Sequence, residues 1–461
     1  MTDMLSHQSI PAHKHLETPD VHSPQVQCAP RRSERVSSYA GRRRGIVEGD
    51  RRTRSRRPHW LRSPSLLVAL ALWTHGVVGC SSRQAVPSRD TAGAASTGAS
   101  RSSGRVLTVG PSKQFSTPSA AAKAARNGDT IEIAAGTYAK DAAVWRASDL
   151  TIRAVGGRAH LKADGADAED KGIWVIKGRN TTVEQIEFSG ARVRDRNGAG
   201  IRQEGAGLTV RDCYFHDNQN GILAGKNSAS EILIERSEFA NNGEGDGQSH
   251  NMYISQVKRF TLRASYSHHA DIGHNVKSRA LENYILYNRI MDEATGTSSY
   301  AIDLPNGGLS YVIGNVIQQG PQTDNPTIIS YGAEGLSNPM KALYVVNNTI
   351  VNDGPPQGRF LFVRNGATPV LIINNIFAGP GTVLTGPGTM KNNVATRTPG
   401  FVDAANFDYR VSASSPAINA GADPGAVDGM SLVPTHQYRH PFSEEARPNT
   451  GTIDAGAYEH Q

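Results

Sequence analysis

Between residues 183 and 377 apolar positions recur in a six-residue pattern: an apolar residue, two of any kind, a small or polar residue, one of any kind, then a large apolar residue. The leading members are Val183, Val210, Ile234, Leu262, Ile285, Val312, Val345 and Ile372, spaced by 27, 24, 28, 23, 27, 33 and 27 residues. A recurrence of this length signals supersecondary units stacked on one another. The segments are short, rich in β-branched residues and bounded by Gly and Asn, which predicts strands rather than helices. A second strand is predicted before each of them, at Gly200–Arg202, Gly221–Leu223, Asn251–Tyr253, Asn275–Lys277, Ala301–Asp303, Ile328–Ser330 and Leu361–Val363. Each coil is therefore expected to hold two strands.

Two columns fix the stacking. Three places after each leading residue stand Ile186, Cys213, Ser237, Ser265, Asn288, Asn315, Asn348 and Asn375. Four successive asparagines predict an internal ladder, each side-chain amide donating to one neighbouring coil and accepting from the other. Five places after stand Phe188, Phe215, Phe239, Ser267, Ile290, Ile317, Ile350 and Phe377, an expected apolar stack. A two-layer sheet does not require such register, and the leucine consensus of a leucine-rich solenoid is missing. The fold class is all-β, a single-stranded parallel β-helix over residues 105–461.

Upstream, Ser116–Arg126 reads as a short helix and Asn127–Tyr138 as a strand and turn. This opening resembles the start of the pectate-lyase-like β-helix superfamily, and Ser415–Asn419 with Ile453–Glu459 resembles its closing segment. The resemblance implies a right-handed helix capped by that N-terminal α-helix, as an open coil would expose core and sheet edges.

Charge separates the N-terminus from this body. Residues 1–80 carry 13 of the 49 Lys and Arg and 6 of the 42 acidic residues, so residues 81–461 hold 36 of each sign. A neutral body lacks the charge that phosphate recognition needs, which argues against a nucleic-acid partner. Residues 1–64 are a basic prelude with Arg42 to Arg44, Arg51, Arg52, Arg54, Arg56, Arg57 and Arg62. Within residues 65–80 an apolar run, Ser65–Trp73, leads to Val77-Val78-Gly79-Cys80, and a basic region, a short apolar region and small residues make an export signal. The last four residues resemble a bacterial lipobox, which implies lipidation at Cys80. Residues 81–104, rich in Ser, Gly, Ala and Thr, read as a flexible tether. The expectation is an exported monomer of the cell envelope, periplasmic or at the cell surface, held to membrane by lipid on Cys80. Cys28, Cys80 and Cys213 are too few for a disulfide framework, and Cys213 falls in the core column.

Titratable residues gather on three successive coils. Aligning His250–Tyr253 with His274–Lys277 and Tyr300–Asp303 puts His250, His274 and Tyr300 in one column and Tyr253, Lys277 and Asp303 in another. Arg279 shares the face of Lys277 by the period of two. Arg202, Asn251, Asn275 and Asn306 are expected at substrate. Glu244 and Asp246, in a Gly-rich loop, are candidate calcium ligands. His268-His269 reads as a turn pair. The block Asn275–Asn283 with Tyr287–Ile290 resembles the Lys-Ser block of the chondroitinase B and alginate lyase group, which implies Lys277 as the base of a β-elimination. The Arg-His-Gly block of that group is replaced here by Ile302–Gly308, and its calcium-placing acids are not matched. Eliminating across a uronate needs a base, a positive group on the carboxylate and an acid for the leaving oxygen. Lys277, its charged form disfavoured by neighbouring Arg279, fits the first role, as does His250 or His274, and Tyr253 or Tyr300 fits the third. The two histidines fit bonding between coils equally well. The reading is a polysaccharide lyase on an acidic, uronate-containing polymer. A uronate C5-epimerase or a glycoside hydrolase using Asp303 with Glu244, Asp246 or Glu334 remains open, as does a non-catalytic carbohydrate-binding or envelope-structural protein.

Overall fold

The structure is a computed structural model that describes residues 104–461; the basic prelude, the apolar run, Cys80 and almost all of the tether lie outside the described residues. The chain winds into a parallel β-helix, with ten strands stacked in register on one of its faces. Each full coil holds three strands, one more than the pattern predicts, because the six-residue segment is bent. Its first half (Thr181–Glu184 in one coil) and its second half (Ile186–Ser189) lie on different faces. A single residue between them takes a positive φ: Gln185, Asp212, Arg236, Ala264, Tyr287, Asn347 and Asn374, at 44–61°, with Gly314 in the remaining coil. That conformation costs an L-residue about 1 kcal/mol or more, and no β-branched residue occupies the corner.

The residue just after each corner turns inward, and where it is Ser or Asn its side chain bonds to the backbone around it. Asn315 Oδ1 accepts both the backbone N–H and the Nδ2 of Asn288, each at 2.9 Å. Asn315 Nδ2 donates to Asn348 Oδ1 in the next coil and to the Ile285 carbonyl of the coil before, at 2.9 and 2.8 Å. The same set repeats at Asn348, Asn375 and a fifth member, Asn393. Ser237 and Ser265 continue the column with their hydroxyls, and buried Cys213 closes it. Two places on, Phe188, Phe215 and Phe239 stack face to face at 4.9 and 4.8 Å, tilted by no more than 8°.

The third strand of each coil matches the predicted second strand, including Met252–Ile254, Val276–Ser278 and Ile302–Leu304. The N-terminal cap is a helix at Pro118–Ala124, begun by Thr117, whose hydroxyl accepts the Ala120 N–H at 3.3 Å, and buried through Pro118 and Ala121. The solenoid does not run to residue 461. Its parallel ladders end at Val394–Thr396, and the rest forms three antiparallel hairpins. This tail covers the outside of the late coils, where outward positions are apolar: Tyr311, Tyr344 and Val346 under Leu432, and Val316, Val351 and Ile376 under Tyr409, Ala455 and Ala457. An ion pair between Arg447 and Glu459, each 3% exposed and 2.9 Å apart, joins two segments of the tail, and Asn347 Nδ2 ties it to the coils by donating to the Asp454 carbonyl at 2.8 Å.

Because Asn315 satisfies four partners in a dry interior, Asn315→Ala is expected to lower unfolding free energy by about 3 kcal/mol or more, at a cost of about 1–3 kcal/mol for each buried group left alone. The denaturant midpoint followed by circular dichroism checks it; a change under about 1 kcal/mol would show the ladder to be dispensable.

Candidate active site

The third face brings the predicted columns together. Strand register places Arg202, Leu223, Tyr253, Lys277, Asp303 and Ser330 in one line. In the neighbouring column the rings of His250 and His274 stack at 4.5 Å, and Tyr300 follows at 5.0 Å. Around Lys277 the polar atoms converge. Its Nζ lies 3.4 Å from His274 Nε2, 3.7 Å from Asp303 Oδ2 and 3.8 Å from Glu334 Oε1. It also stands 5.6 Å from the centre of the Tyr253 ring, over its face. Arg279 completes the cluster: Nε donates to Tyr253 Oη at 2.8 Å, Nη1 donates to Asn306 Oδ1, and the two Nη atoms hold Glu334 at 2.8 and 2.9 Å.

Burial sets the protonation states. Asp303, 2% exposed, has its carboxyl pushed up to about 6 by burial, against the pull of the Lys277 ammonium. Its Oδ1 has no hydrogen-bond partner. Glu334, on an open loop, is held below the usual carboxylate range by Arg279. His274 is driven down to about 3 by burial, with Lys277 and Arg279 adding repulsion, and His250 is lowered by burial and then by His274, Lys277 and Arg279. Their Nδ1 atoms are already used: His250 Nδ1 accepts the His274 N–H at 3.0 Å, and His274 Nδ1 accepts the Tyr300 N–H at 3.4 Å. The neutral rings therefore carry their proton on Nε2, and His274 Nε2–H points toward Asp303 Oδ2 at 3.5 Å. Neither nitrogen of His274 offers a free lone pair, so of the three candidate bases Lys277 is the better placed.

Two sequence expectations need correction. Asn251 and Asn275, expected at substrate, are fully buried. They form a second internal ladder: Asn218 Nδ2 donates to Asn242, Asn242 to Asn251, and Asn251 to Asn275, all at 2.8–2.9 Å. That ladder ends on buried Asp292, reached by Asn275 at 3.3 Å and by the Ser298 hydroxyl. Glu244 and Asp246 do not gather toward a common ion. Glu244 is paired with Arg192, while Asp246 accepts the Gln248 and Ser249 N–H groups and faces Arg196 at 4.0 Å. Calcium there would have to displace both arginines. Arg202 shares the column but stands three coils upstream of Lys277, about 14 Å away at the strand spacing of about 4.8 Å.

Asn338 was missed. It is buried, and its Nδ2 donates to the carbonyls of Arg279, Ala280 and Gly307 while Gln256 donates to its Oδ1. It thereby staples the loop bearing Glu334 over the site. It lies in a loop with no period, so no pattern marked it.

Residues 138–317 match the family described as right handed beta helix region. No curated protein matches the sequence. Among solved structures, pectate lyase Pel9A is similar with a TM-score of 0.53 and 16% identity, over 78% of this chain and 97% of that one. An alginate lyase from Paenibacillus sp. str. FPU-7 gives 0.37 and 14%, over 63% and 99%. The fold is thus a right-handed parallel β-helix, the fold that the opening and closing segments implied.

The Asp303 carboxyl binds its proton more tightly folded than unfolded, where 3.8 is usual. Its contribution to stability is full below about pH 4 and is lost as pH rises through about 6, on the order of 3 kcal/mol at 1.36 kcal/mol per unit. Asp303→Asn is therefore expected to raise Tm at neutral pH and to flatten part of the decline between about pH 4 and 6. Asp292, also pushed up to about 6 by burial, leaves the remainder. Parallel curves of Tm against pH for variant and parent would remove this account of Asp303.

Proposed function

We propose that this protein is an exported, lipid-anchored enzyme that cleaves an acidic, uronate-containing polysaccharide by β-elimination on its third face. The supporting observation is the seat of Glu334. A carboxylate from an open loop is gripped by both Nη atoms of Arg279 and approached by Lys277, with Asn306 and Tyr253 beside it. A uronate carboxylate of the polymer satisfies the same donors once Glu334 swings out. Arg279 then neutralises the carboxylate and makes the C5 proton more acidic. Lys277, in its uncharged form, takes that proton. The Tyr253 hydroxyl accepts from Arg279 and so keeps its own proton to donate to the leaving oxygen. His250 and His274 serve as a rigid, neutral floor rather than as bases. Fold similarity to a pectate lyase, with an open regular face suited to a linear polymer, is consistent with this reading.

A second reading rests on the unequal proton affinities of two carboxylates. Asp303, raised to about 6, and ionised Glu334 flank Lys277, and such a pair supplies the acid and the base or nucleophile of a glycoside hydrolase. One substitution separates the two. With pectate and alginate as substrates, β-elimination is read as the ultraviolet absorbance of the unsaturated product, and hydrolysis as reducing ends without it. Lys277→Ala and Arg279→Ala are each expected to lower kcat/KM for elimination by at least about 100-fold, in line with loss of a general base or of charge stabilisation. Glu334→Gln is expected to keep kcat and lower KM, since it frees the carboxylate seat. If Glu334→Gln abolishes activity while reducing ends form without absorbance, the hydrolase reading replaces the lyase. Lipid attachment is checked separately: labelled fatty acid should enter the parent chain and be lost in Cys80→Ala.

A further inference from the structure

The second face carries a different cluster. His160, Glu187 and His216 come from three successive coils, Thr151–Lys162, Ile186–Ser189 and Tyr214–His216. Glu187 Oε1 stands 3.4 Å from His160 Nε2 and 3.2 Å from His216 Nε2. Among the described residues this is the group of three His, Cys, Asp or Glu side chains whose ligand atoms all fall within 4.8 Å of one another. We propose that these three side chains bind one divalent first-row transition ion of the zinc type, at a site separate from Lys277 and unrelated to calcium.

Geometry and chemistry both favour this ion. A tetrahedral ion with bonds of about 2.1 Å has ligand-to-ligand edges of about 3.4 Å, which the two histidine–glutamate separations already approach. Imidazole nitrogen with one carboxylate suits zinc, copper, nickel or iron, whereas calcium needs six or more oxygens. A second residue orients a ligand. Asp217 Oδ2 lies 2.7 Å from His216 Nδ1, so that nitrogen carries the proton and the Nε2 lone pair faces Glu187. Ser189 Oγ, 2.7 Å from His160 Nε2, marks where a fourth ligand or water would sit. All three side chains keep between 18% and 24% of their surface accessible, so an ion can reach them. A further His–Glu pair on this face, His268 with Glu238 at 3.3 Å, belongs to no such group of three among the described residues. An ion bound by three coils would tie them together as a cross-link.

The test uses the full chain stripped with a chelator and then titrated with Co2+ and Zn2+. One Co2+ per chain is expected, with the visible ligand-field bands of a nitrogen–oxygen site, displaced by Zn2+ and accompanied by a higher Tm. Glu187→Gln, His160→Gln and His216→Ala should each lower Co2+ affinity by at least about 100-fold, and Asp217→Asn by about 10- to 100-fold. Should a variant fail to fold, the parent protein still decides: Zn2+ should protect His160 and His216 from diethyl pyrocarbonate, located by peptide mass. No saturable binding by the parent, binding that survives loss of His160 and His216, or no protection of those rings overturns the proposal and leaves the cluster as an ion-pair ladder.

Discussion

Stacking in exact register is the constraint on which the rest of this protein depends. Parallel strands alone resist slippage poorly, since each backbone pair resembles the next. Two buried columns of asparagine remove that freedom. Each amide needs a partner at one height in the coil above and at one height in the coil below, and a shift by one residue would strand several polar groups in a dry interior. The same amides offset the positive-φ corners beside them. A bend made by one residue, at Tyr287 or Asn347, is tolerated because the next residue locks both flanking strands.

Register carries directly into the chemistry of the third face. With coils about 4.8 Å apart, Lys277 and Asp303 become neighbours although 26 residues separate them. The column also decides which groups are forced close and half dry. Asp303 sits beneath Lys277 and beside Ser330, away from water, while Glu334 reaches the same lysine from an open loop. Two carboxylates on one cation thus experience opposite environments. Buried charge is costly and is retained where it does something.

The two histidines illustrate how stacking fixes tautomers. A coil repeat brings the backbone N–H of one strand onto the Nδ1 of the imidazole before it, and this repeats from His250 to His274 to Tyr300. Rings that look like catalytic bases in a sequence become neutral spacers when both nitrogens are committed. The second face uses histidine differently. There Asp217 holds His216 by Nδ1 and leaves Nε2 to its neighbours. One residue type serves two purposes according to which nitrogen the surroundings occupy.

The amino-acid sequence by itself determined the coil length, the identity of the inward columns and the alignment of His250 with His274 and of Lys277 with Asp303, because a solenoid converts a linear period into spatial adjacency. Even the corner leaves a trace, in the doubled asparagines at Asn347-Asn348, Asn374-Asn375 and Asn392-Asn393. The varied residues at the other corners hid the third strand, since a positive φ imposed by neighbours demands no particular side chain beyond avoiding β-branching. Only the tertiary structure decided that Asn251 and Asn275 turn inward, that Arg279 is matched to Glu334 from 55 residues away, and that the tail covers the late coils instead of extending them. Those outcomes follow from loops and turns, whose course depends on which buried polar group or apolar patch needs a partner, and no period in the chain encodes that choice.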